Sequence, residues 1–158
     1  MPYSRAMNAT QLLVHMTRRH LDNFFEVLHE LPKDKLDWQP APGSRSALDM
    51  LQEVATVFTG VPDAVRARKL EMTPEMFQQY EVERRKITDV AELEAKTRQG
   101  TAKFIEFIES VGDDELGDKV AMPWPGEFTV ADLLSYHEWN LAYHAAQIYY
   151  IGTMLAKE

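Results

Sequence analysis

The sequence predicts an all-α protein built as a four-helix bundle. Two observations support this prediction. Apolar residues recur with the period of an α-helix through four long segments. No segment shows the strict alternation of apolar and polar residues that is typical of a strand. The chain has 158 residues, of which 45% are hydrophobic. That is enough to form one core, so we predict a single domain over residues 1–158.

Each predicted helix begins at a residue whose side chain can cap the free N–H groups of the first turn. The caps are, in chain order, Asn8 or Thr10, Ser46, Thr73, Asp89 and Thr129. Thr73 opens a short extra helix, because Pro74 follows it and proline is favoured in a first turn. The first long helix stops at Pro32, the third ends near Gly112, and the last runs to Leu155.

The second long helix, which follows Ser46, is apolar on more than half of its circumference. Such a helix packs against several neighbours or against a second subunit. A homodimer is therefore one prediction from this surface. Pro62 is expected to bend or interrupt the same helix.

Two connections, 33–45 and 112–128, carry prolines and glycines that predict irregular backbone. Each also carries two large apolar side chains that we expect to pack against the bundle. These are Leu36 and Trp38 in the first connection, and Trp124 and Phe128 in the second.

Charge and residue usage exclude several classes of protein. The formal net charge is −8, and the basic residues cluster only in short runs, so we expect no nucleic-acid partner. The chain has no cysteine, which excludes disulfides, thiolate zinc sites and a cysteine nucleophile. No stretch approaches the roughly 18 apolar residues needed to span a bilayer. Residues 1–5 lack the apolar run of a secretory signal. We therefore expect no membrane partner and a cytoplasmic location.

Polar residues interrupt the apolar stripe of the last helix. They are His137, Asn140, His144 and Gln147. Buried polar groups cost free energy unless they are satisfied. These residues therefore form either a structural hydrogen-bond network or a site. Tyr136, Tyr143 and Tyr150 form a neighbouring stripe, which either packs within the chain or borders a cavity or a dimer contact.

Two further polar residues can face the same interior. His20 lies among apolar residues of the first helix, and Glu53 lies at the edge of the apolar arc of the second. A lone inward histidine, such as His20 or His137, is most often a satisfied core residue, and Glu53 also fits a solvated edge. As a functional alternative, we predict a small-molecule pocket lined by His20, His137 and Gln147.

A metal site is the sharper alternative. Asn140 and His144 are four residues apart and can share an ion, and Glu53 would add a carboxylate from a facing helix. His137 and His144 are seven residues apart, about 10 Å along the helix axis, which is too far to share one ion easily. One nitrogen and two oxygens make a weak site. The sequence thus predicts a divalent metal (zinc, nickel or manganese) held weakly by Glu53, Asn140 and His144, or none.

Two segments resemble the DinB/YfiT-like superfamily. The approach to that family's second helix is similar to Trp38-Gln39-Pro40-Ala41-Pro42-Gly43-Ser44-Arg45-Ser46. Its final helix, which commonly ends in His-Arg-Gly-Gln-Ile, resembles Thr129 to Ile148, ending His144-Ala145-Ala146-Gln147-Ile148. The order and lengths of the predicted elements also match over nearly the whole chain.

The resemblance implies a four-helix bundle with a long crossover connection, usually dimeric. It also implies a divalent-metal site of three histidines, one from the second helix and two spaced by four on the last. Characterised members of the family include thiol-dependent S-transferases and a maleylpyruvate isomerase that uses a low-molecular-weight thiol. In this chain only His144 matches the three histidines, because Glu53 and Asn140 stand at the other two positions.

Two functions follow as hypotheses. The first is a metal-dependent enzyme of the thiol S-transferase type, acting on a small electrophile through a degenerate site. The second is a non-catalytic, metal-free bundle in which Glu53, Asn140, His144 and Gln147 form a buried hydrogen-bond network. Such a bundle would bind a small ligand or act as a structural dimer. The sequence contains no serine-elbow motif and no phosphate-binding loop, so other enzyme classes have no support.

Overall fold

Six α-helices make up most of the computed structural model, which describes residues 6–156. In chain order they are α1 (Ala9–His29), α2 (Ala47–Val54), α3 (Val61–Ala67), α4 (Pro74–Arg84), α5 (Val90–Ser110) and α6 (Val130–Leu155). Single 3₁₀ turns at Lys33–Lys35 and Asp113–Glu115 lie in the two long connections. Two short strands, β1 (Lys119–Val120) and β2 (Phe128–Thr129), pair antiparallel just before α6. The predicted all-α class is confirmed.

The helices begin where side chains satisfy the first free N–H groups. Asn8 caps α1, and Gln11 completes a reciprocal capping box with it. Thr129 and Asp132 form the same arrangement at α6. The remaining predicted caps, Ser46, Thr73 and Asp89, each accept a hydrogen bond from the N–H three residues on. The predicted helix starts are therefore confirmed.

The prediction of four long helices is wrong in one place, because the second is short. α2 ends at Val54, and a run of turns leads to α3, in which Pro62 is an early residue. The Thr56 hydroxyl donates to the carbonyl oxygens of Gln52 (2.9 Å) and Glu53 (3.2 Å), while the Thr56 and Val57 N–H groups both donate to the Glu53 carbonyl oxygen at 2.9 Å. The interruption therefore starts before Pro62, and it places Glu53 in the last turn of α2.

The broad apolar surface of α2 is covered within the chain. α2 packs against α5 and α6, while α1 packs along α6 and also touches α5. The α2 side chains Met50, Leu51 and Val54 are buried in a core shared with α1, α5 and α6. Neighbouring helices therefore cover the apolar surface of α2, and no second subunit is needed to cover it.

The two long connections behave differently. Leu36 and Trp38 pack against the core, as predicted. Phe128 also packs, but Trp124 is 45% exposed, so its predicted packing is wrong. Within residues 6–156, no helix is long and apolar enough to cross a membrane. The expectation about a secretory signal concerns residues 1–5, which lie outside the described residues.

Candidate functional site

The structure brings Glu53, Asn140 and His144 together between α2 and α6. Asn140 and His144 lie on consecutive turns of α6 and are both buried. Asn140 Nδ2 donates to Glu53 Oε1 over 2.9 Å, and His144 Nε2 lies 3.4 Å from the same oxygen. One carboxylate oxygen therefore contacts both Asn140 and His144.

Arg45 occupies the other oxygen of this carboxylate. It precedes the Ser46 cap, and its Nη1 lies 2.5 Å from Glu53 Oε2. Its Nε donates to Asp49 Oδ2 at 2.5 Å. Arg45, Asp49 and Glu53 are spaced by four residues; Asp49 and Glu53 lie one turn apart on α2, and Arg45 precedes the helix. Arg45 therefore pairs with both carboxylates, and this set of ion pairs ends beside His144.

A second arginine, on α4, extends these ion pairs. Arg84, which is buried, places Nη1 2.9 Å from Asp49 Oδ1 and Nε 2.8 Å from Glu81 Oε1. Burial of a guanidinium is tolerated only when its charge and its N–H donors have partners, and here two carboxylates supply them. α4 is thus attached beside the site largely through polar contacts.

Gln147 fixes the ring of His144 from the opposite side. Gln147 Oε1 lies 2.7 Å from His144 Nδ1. Because carbonyl and carboxylate oxygens only accept, the Nδ1–Gln147 and Nε2–Glu53 contacts are both hydrogen bonds only when each ring nitrogen carries a proton. We call Arg45, Asp49, Glu53, Asn140, His144 and Gln147 the central network.

The charge of Glu53 is strongly stabilised. Burial by itself would raise the pKa of this carboxyl. The hydrogen bond from His144, the charge of Arg45 and the hydrogen bond from Asn140 outweigh it and lower the pKa from 4.5 to about 2. Glu53 is therefore an anion at every physiological pH, held by partners on both oxygens.

The central network does not match the donor set of a divalent-metal site. Among residues 6–156, no three histidine, cysteine, aspartate or glutamate side chains are arranged to hold an ion. Asn140 turns its amide nitrogen, not its oxygen, to Glu53, and Asn140 Oδ1 is buried without a hydrogen-bond partner in the described part of the chain. The Arg45 charge at Glu53 Oε2 further disfavours a second cation. The residues present do not fit the ion that the family resemblance implies.

Of the three predicted pocket residues, only Gln147 joins the central network. His137 is fully buried elsewhere, with Nε2 2.8 Å from the Thr101 hydroxyl and its ring against Phe58. Desolvation lowers its pKa from 6.5 to about 3, so it is neutral. His20 Nδ1 lies 2.6 Å from Glu138 Oε1 in an orientation that does not make a hydrogen bond. His20 and His137 therefore do not line the predicted pocket.

Arg45 and Arg84 belong to the site but were not predicted from the sequence. Arg45 lies inside the segment that carried the family resemblance, yet its role is visible only in its spacing. Residues 45, 49 and 53 have four-residue spacing and the charge order plus, minus, minus, with residue 45 just before α2. That pattern could have predicted the ion pairs between Arg45 and α2. Arg84 could not have been found this way, because its contact to Asp49 spans 35 residues.

Two surface depressions lie away from the central network. One lies between the C-terminal ends of α1 and α6, around Leu31 and Gly152. The other lies beside the start of α1, around Gln11 and Arg18. Neither is lined by a residue of the network, so the network meets solvent at an edge and not through either depression.

This chain matches a known protein family, and its fold is similar to solved structures. The family model described as the DinB superfamily matches residues 16–148. The fold is similar to the crystal structure of a DinB-like protein from Bacillus subtilis (YjoA), with a TM-score of 0.65, 16% identity and coverage of 92% of each chain. It is also similar to a DinB-like protein from Bacillus cereus, with a TM-score of 0.66, 14% identity and coverage of 92% of this chain and 91% of that one. None of the curated proteins matches the sequence significantly.

Proposed function

This chain belongs to the DinB superfamily, and we propose that it is a metal-independent, non-catalytic member whose central network binds a small molecule at its exposed edge. One observation carries the proposal: Arg45 Nη1 lies 2.5 Å from Glu53 Oε2. A guanidinium in this position supplies the positive charge that a metal ion would otherwise supply to the carboxylate. It also repels a second cation at close range.

The orientation of Asn140 supports the same proposal. Its amide nitrogen donates to Glu53 Oε1. Turning the amide over would direct Oδ1 at the carboxylate oxygen, and two acceptors repel each other unless a cation lies between them. The observed orientation is the one that a metal-free network stabilises.

The network reaches solvent at one edge. The side chain of Arg45 is 33% exposed and that of Glu53 is 17% exposed. Tyr80 and Tyr136 lie near enough that the Glu53 charge adds to burial in raising the pKa of both phenols. A paired cation and anion beside two tyrosines suit a small molecule with both polar and apolar parts.

Metal content tests the first half of the proposal. Protein purified without a histidine tag is analysed by inductively coupled plasma mass spectrometry, and its Tm is measured with zinc, nickel and manganese. We expect far less than one ion per chain and no rise in Tm. A stoichiometric ion that disappears in both His144→Ala and Glu53→Ala contradicts the proposal.

A double variant provides the positive control. Glu53→His with Asn140→His places histidines at the two positions where the family resemblance implies them. If those two residues are what excludes a metal, zinc should raise the Tm of this variant. Zinc at 100 times its Kd would stabilise the fold by about 2.7 kcal/mol. The same addition should leave the wild-type Tm unchanged.

A ligand screen tests the second half. Tm is measured with panels of small thiols, carboxylates and amines, for the wild type and for Arg45→Met, which removes the charge and keeps most of the stem. We expect at least one class to raise the wild-type Tm and to lose its effect in the variant. If no class shifts the wild type, the binding half of the proposal is wrong.

The competing proposal is a metal-dependent thiol S-transferase. One observation favours it: Gln147 holds Nδ1 of His144 and leaves Nε2 facing Glu53, as metal-ligating histidines are commonly held by a second hydrogen bond. It requires zinc, nickel or manganese on His144, Glu53 and Asn140. The metal analysis above decides between the two, because only the competing proposal needs an ion.

A further inference from the structure

Helix α4 lies beside the central network and takes little part in the hydrophobic core. Of its residues Pro74–Arg84, all within the described part of the chain, only Arg84 is buried. Neither core cluster of the described residues contains an α4 side chain. Its large apolar side chains Met76, Phe77 and Val82 are between 47% and 56% exposed. A helix with so few buried apolar contacts separates from a fold at a lower cost in free energy than a core helix does.

Polar contacts hold α4 against one side of α2. Arg84 Nη1 lies 2.9 Å from Asp49 Oδ1 and donates to the Asp49 carbonyl oxygen, also at 2.9 Å. The Tyr80 hydroxyl lies 3.1 Å from Thr56 Oγ1. Glu53 lies between these two contacts along the chain, and its charge adds to burial in raising the pKa of Tyr80. α4 therefore covers α2 from Asp49 to Thr56, just past the end of the helix.

The connection that follows α4 covers the middle of the same side. Gln52 Nε2 donates to the backbone carbonyl oxygens of Arg85 (3.3 Å) and Ile87 (2.8 Å). Gln52 is 4% exposed. A reagent in solution therefore reaches this position slowly while α4 and its connection stay in place.

The ion pairs allow α4 to leave without an unpaired charge. Arg84 Nε and Nη2 donate to the two carboxylate oxygens of Glu81, at 2.8 and 2.9 Å, and both residues belong to α4. Asp49 Oδ2 keeps Arg45 Nε at 2.5 Å on the α2 side. Arg85, which also reaches Asp49 at 3.2 Å, is exposed. Separation of α4 therefore breaks its contacts to Asp49 while each buried charge retains a partner, so the large penalty of an unpaired buried charge does not arise.

The chain is fixed on both sides of α4. Before it, the Leu70 N–H donates to the Ala121 carbonyl oxygen at 2.8 Å, and after it Ile87 packs against the core. Between these points, residues 71–73 and 85–86 are not helical. Short connections of this kind absorb the change in backbone direction when an element moves.

From these contacts we infer that residues 71–86 form a lid, which separates from α2 while the bundle stays folded and admits the small molecule to Asp49 and Glu53. The inference rests on the proposed function, because this is the molecule proposed to bind at the edge of the central network. The closed lid places the Tyr80 ring at that edge, with the Phe77 ring 6.4 Å from it, and so supplies apolar contacts to the bound molecule. An exposed edge alone encloses little of a ligand, and a lid completes the enclosure.

Thiol labelling tests the inference, because this chain has no cysteine and an introduced one is the only thiol that reacts. Gln52→Cys places a thiol beneath the lid. Ala145→Cys places one in the core of the bundle, where Ala145 is 2% exposed. Each full-length protein is incubated with iodoacetamide, and the modified fraction is followed by mass spectrometry. We expect Gln52→Cys to react at least about 100-fold faster, because its labelling requires the lid to open and not the bundle to unfold.

The contact that closes the lid is tested by adding Arg84→Met to Gln52→Cys. This change removes the contacts to Asp49 and keeps most of the buried stem. We expect labelling to become about 10-fold faster, as for the loss of a hydrogen bond to a charged group. Lys86→Met, at an exposed lysine paired with Glu83, is the matched control in the same background and should leave the rate unchanged. The loss of the Gln52 hydrogen bonds is common to these proteins and does not affect the comparison between them.

Circular dichroism and Tm of each variant show whether it is folded. If Arg84→Met fails to fold, Tyr80→Phe removes the other contact of α4 and should raise the rate several-fold. The inference is overturned if Gln52→Cys reacts as slowly as Ala145→Cys. It is also overturned if neither lid variant changes the rate, because a thiol that is already exposed would not respond to them. No ligand is needed, so a rigid α4 leaves the proposed binding unaffected, whereas a ligand screen without a hit contradicts the binding and leaves the motion of α4 measurable.

Discussion

Two histidines on α6 face the interior, and their surroundings are opposite. His144 lies in the charged central network, between Glu53 and Gln147. His137, two turns earlier, touches no charged group in the described contacts, and its partners are Thr101 and the rings of Phe58 and Phe104. The same side chain on the same stripe is thus part of an ion-pair network in one place and a neutral core residue in the other.

The facing helices create this difference. α2 presents Glu53 to His144 from its last turn, and Arg45 stabilises that carboxylate. Beyond the end of α2, the chain presents Phe58 instead, whose ring lies 4.1 Å from that of His137. Gly100 on α5 permits this approach, since a Cβ there would lie 2.7 Å from the Phe58 ring. The early end of α2 therefore separates a polar centre from an apolar one.

The largest expected effect is at the apolar centre. His137→Ala removes a fully buried ring and leaves a cavity between Phe58 and Phe104. By analogy with aromatic-to-alanine changes in cores, we expect the free energy of unfolding to fall by about 3 kcal/mol, measured by urea denaturation. His15→Ala, at an exposed histidine of α1, should change it by less than about 0.5 kcal/mol. A loss below about 1 kcal/mol for His137→Ala would show that the site collapses around the smaller residue.

Acid should weaken the two centres in different pH ranges. The pKa of His137 is lowered by burial from 6.5 to about 3, so the folded state resists protonation and loses stability as pH falls below 6.5. Despite its burial, Glu53 has a pKa lowered by His144, Arg45 and Asn140 from 4.5 to about 2, so its contribution is complete above 4.5 and is lost as pH falls toward 2. About 2 kcal/mol of the Glu53 contribution should be gone by pH 3.

Urea denaturation from pH 7 to pH 3 separates these contributions. Glu53→Gln should remove only the part lost below pH 4.5 and leave the decline that begins near pH 6.5. Glu83→Gln, at an exposed glutamate that pairs with Lys86, is the matched control and should follow the wild type. Identical pH profiles for Glu53→Gln and the wild type would show that the network does not stabilise the Glu53 anion.

Most of the fold followed from local signals in the sequence. Asn8, Asp89 and Thr129 start their helices because capping depends on residues only three positions apart. The end of α2 did not follow, since the apolar pattern continues through Val57 and Phe58 after the helix has stopped. The Thr56 hydroxyl bonds to the Gln52 carbonyl oxygen, a local contact between side chain and backbone that apolar periodicity does not report.

The sequence predicted where the candidate site lies, but not which charged groups surround it. A helical wheel places Asn140 and His144 on the inner face of α6, and the structure puts them there. The same wheel also places His137 on the inner face. It cannot distinguish His137 from His144, because it does not show which residues of other helices face them. Arg84 reaches Asp49 only through the tertiary fold, so no local pattern could have placed it beside the site.

The smallest expected effect is at Gln147, the residue that orients His144. Gln147→Ala removes the acceptor of the Nδ1 proton, and because this residue is only partly buried, water can take its place. We expect a loss of about 1 kcal/mol in the free energy of unfolding, well below that of His137→Ala. Nitrogen chemical shifts should show Nδ1 of His144 protonated in the wild type. In the variant, a neutral ring should carry its proton on Nε2, which faces the Glu53 carboxylate. Gln147→Glu keeps an acceptor at this position and should restore the proton on Nδ1. If Nδ1 stays protonated in Gln147→Ala, Gln147 does not determine which ring nitrogen carries the proton.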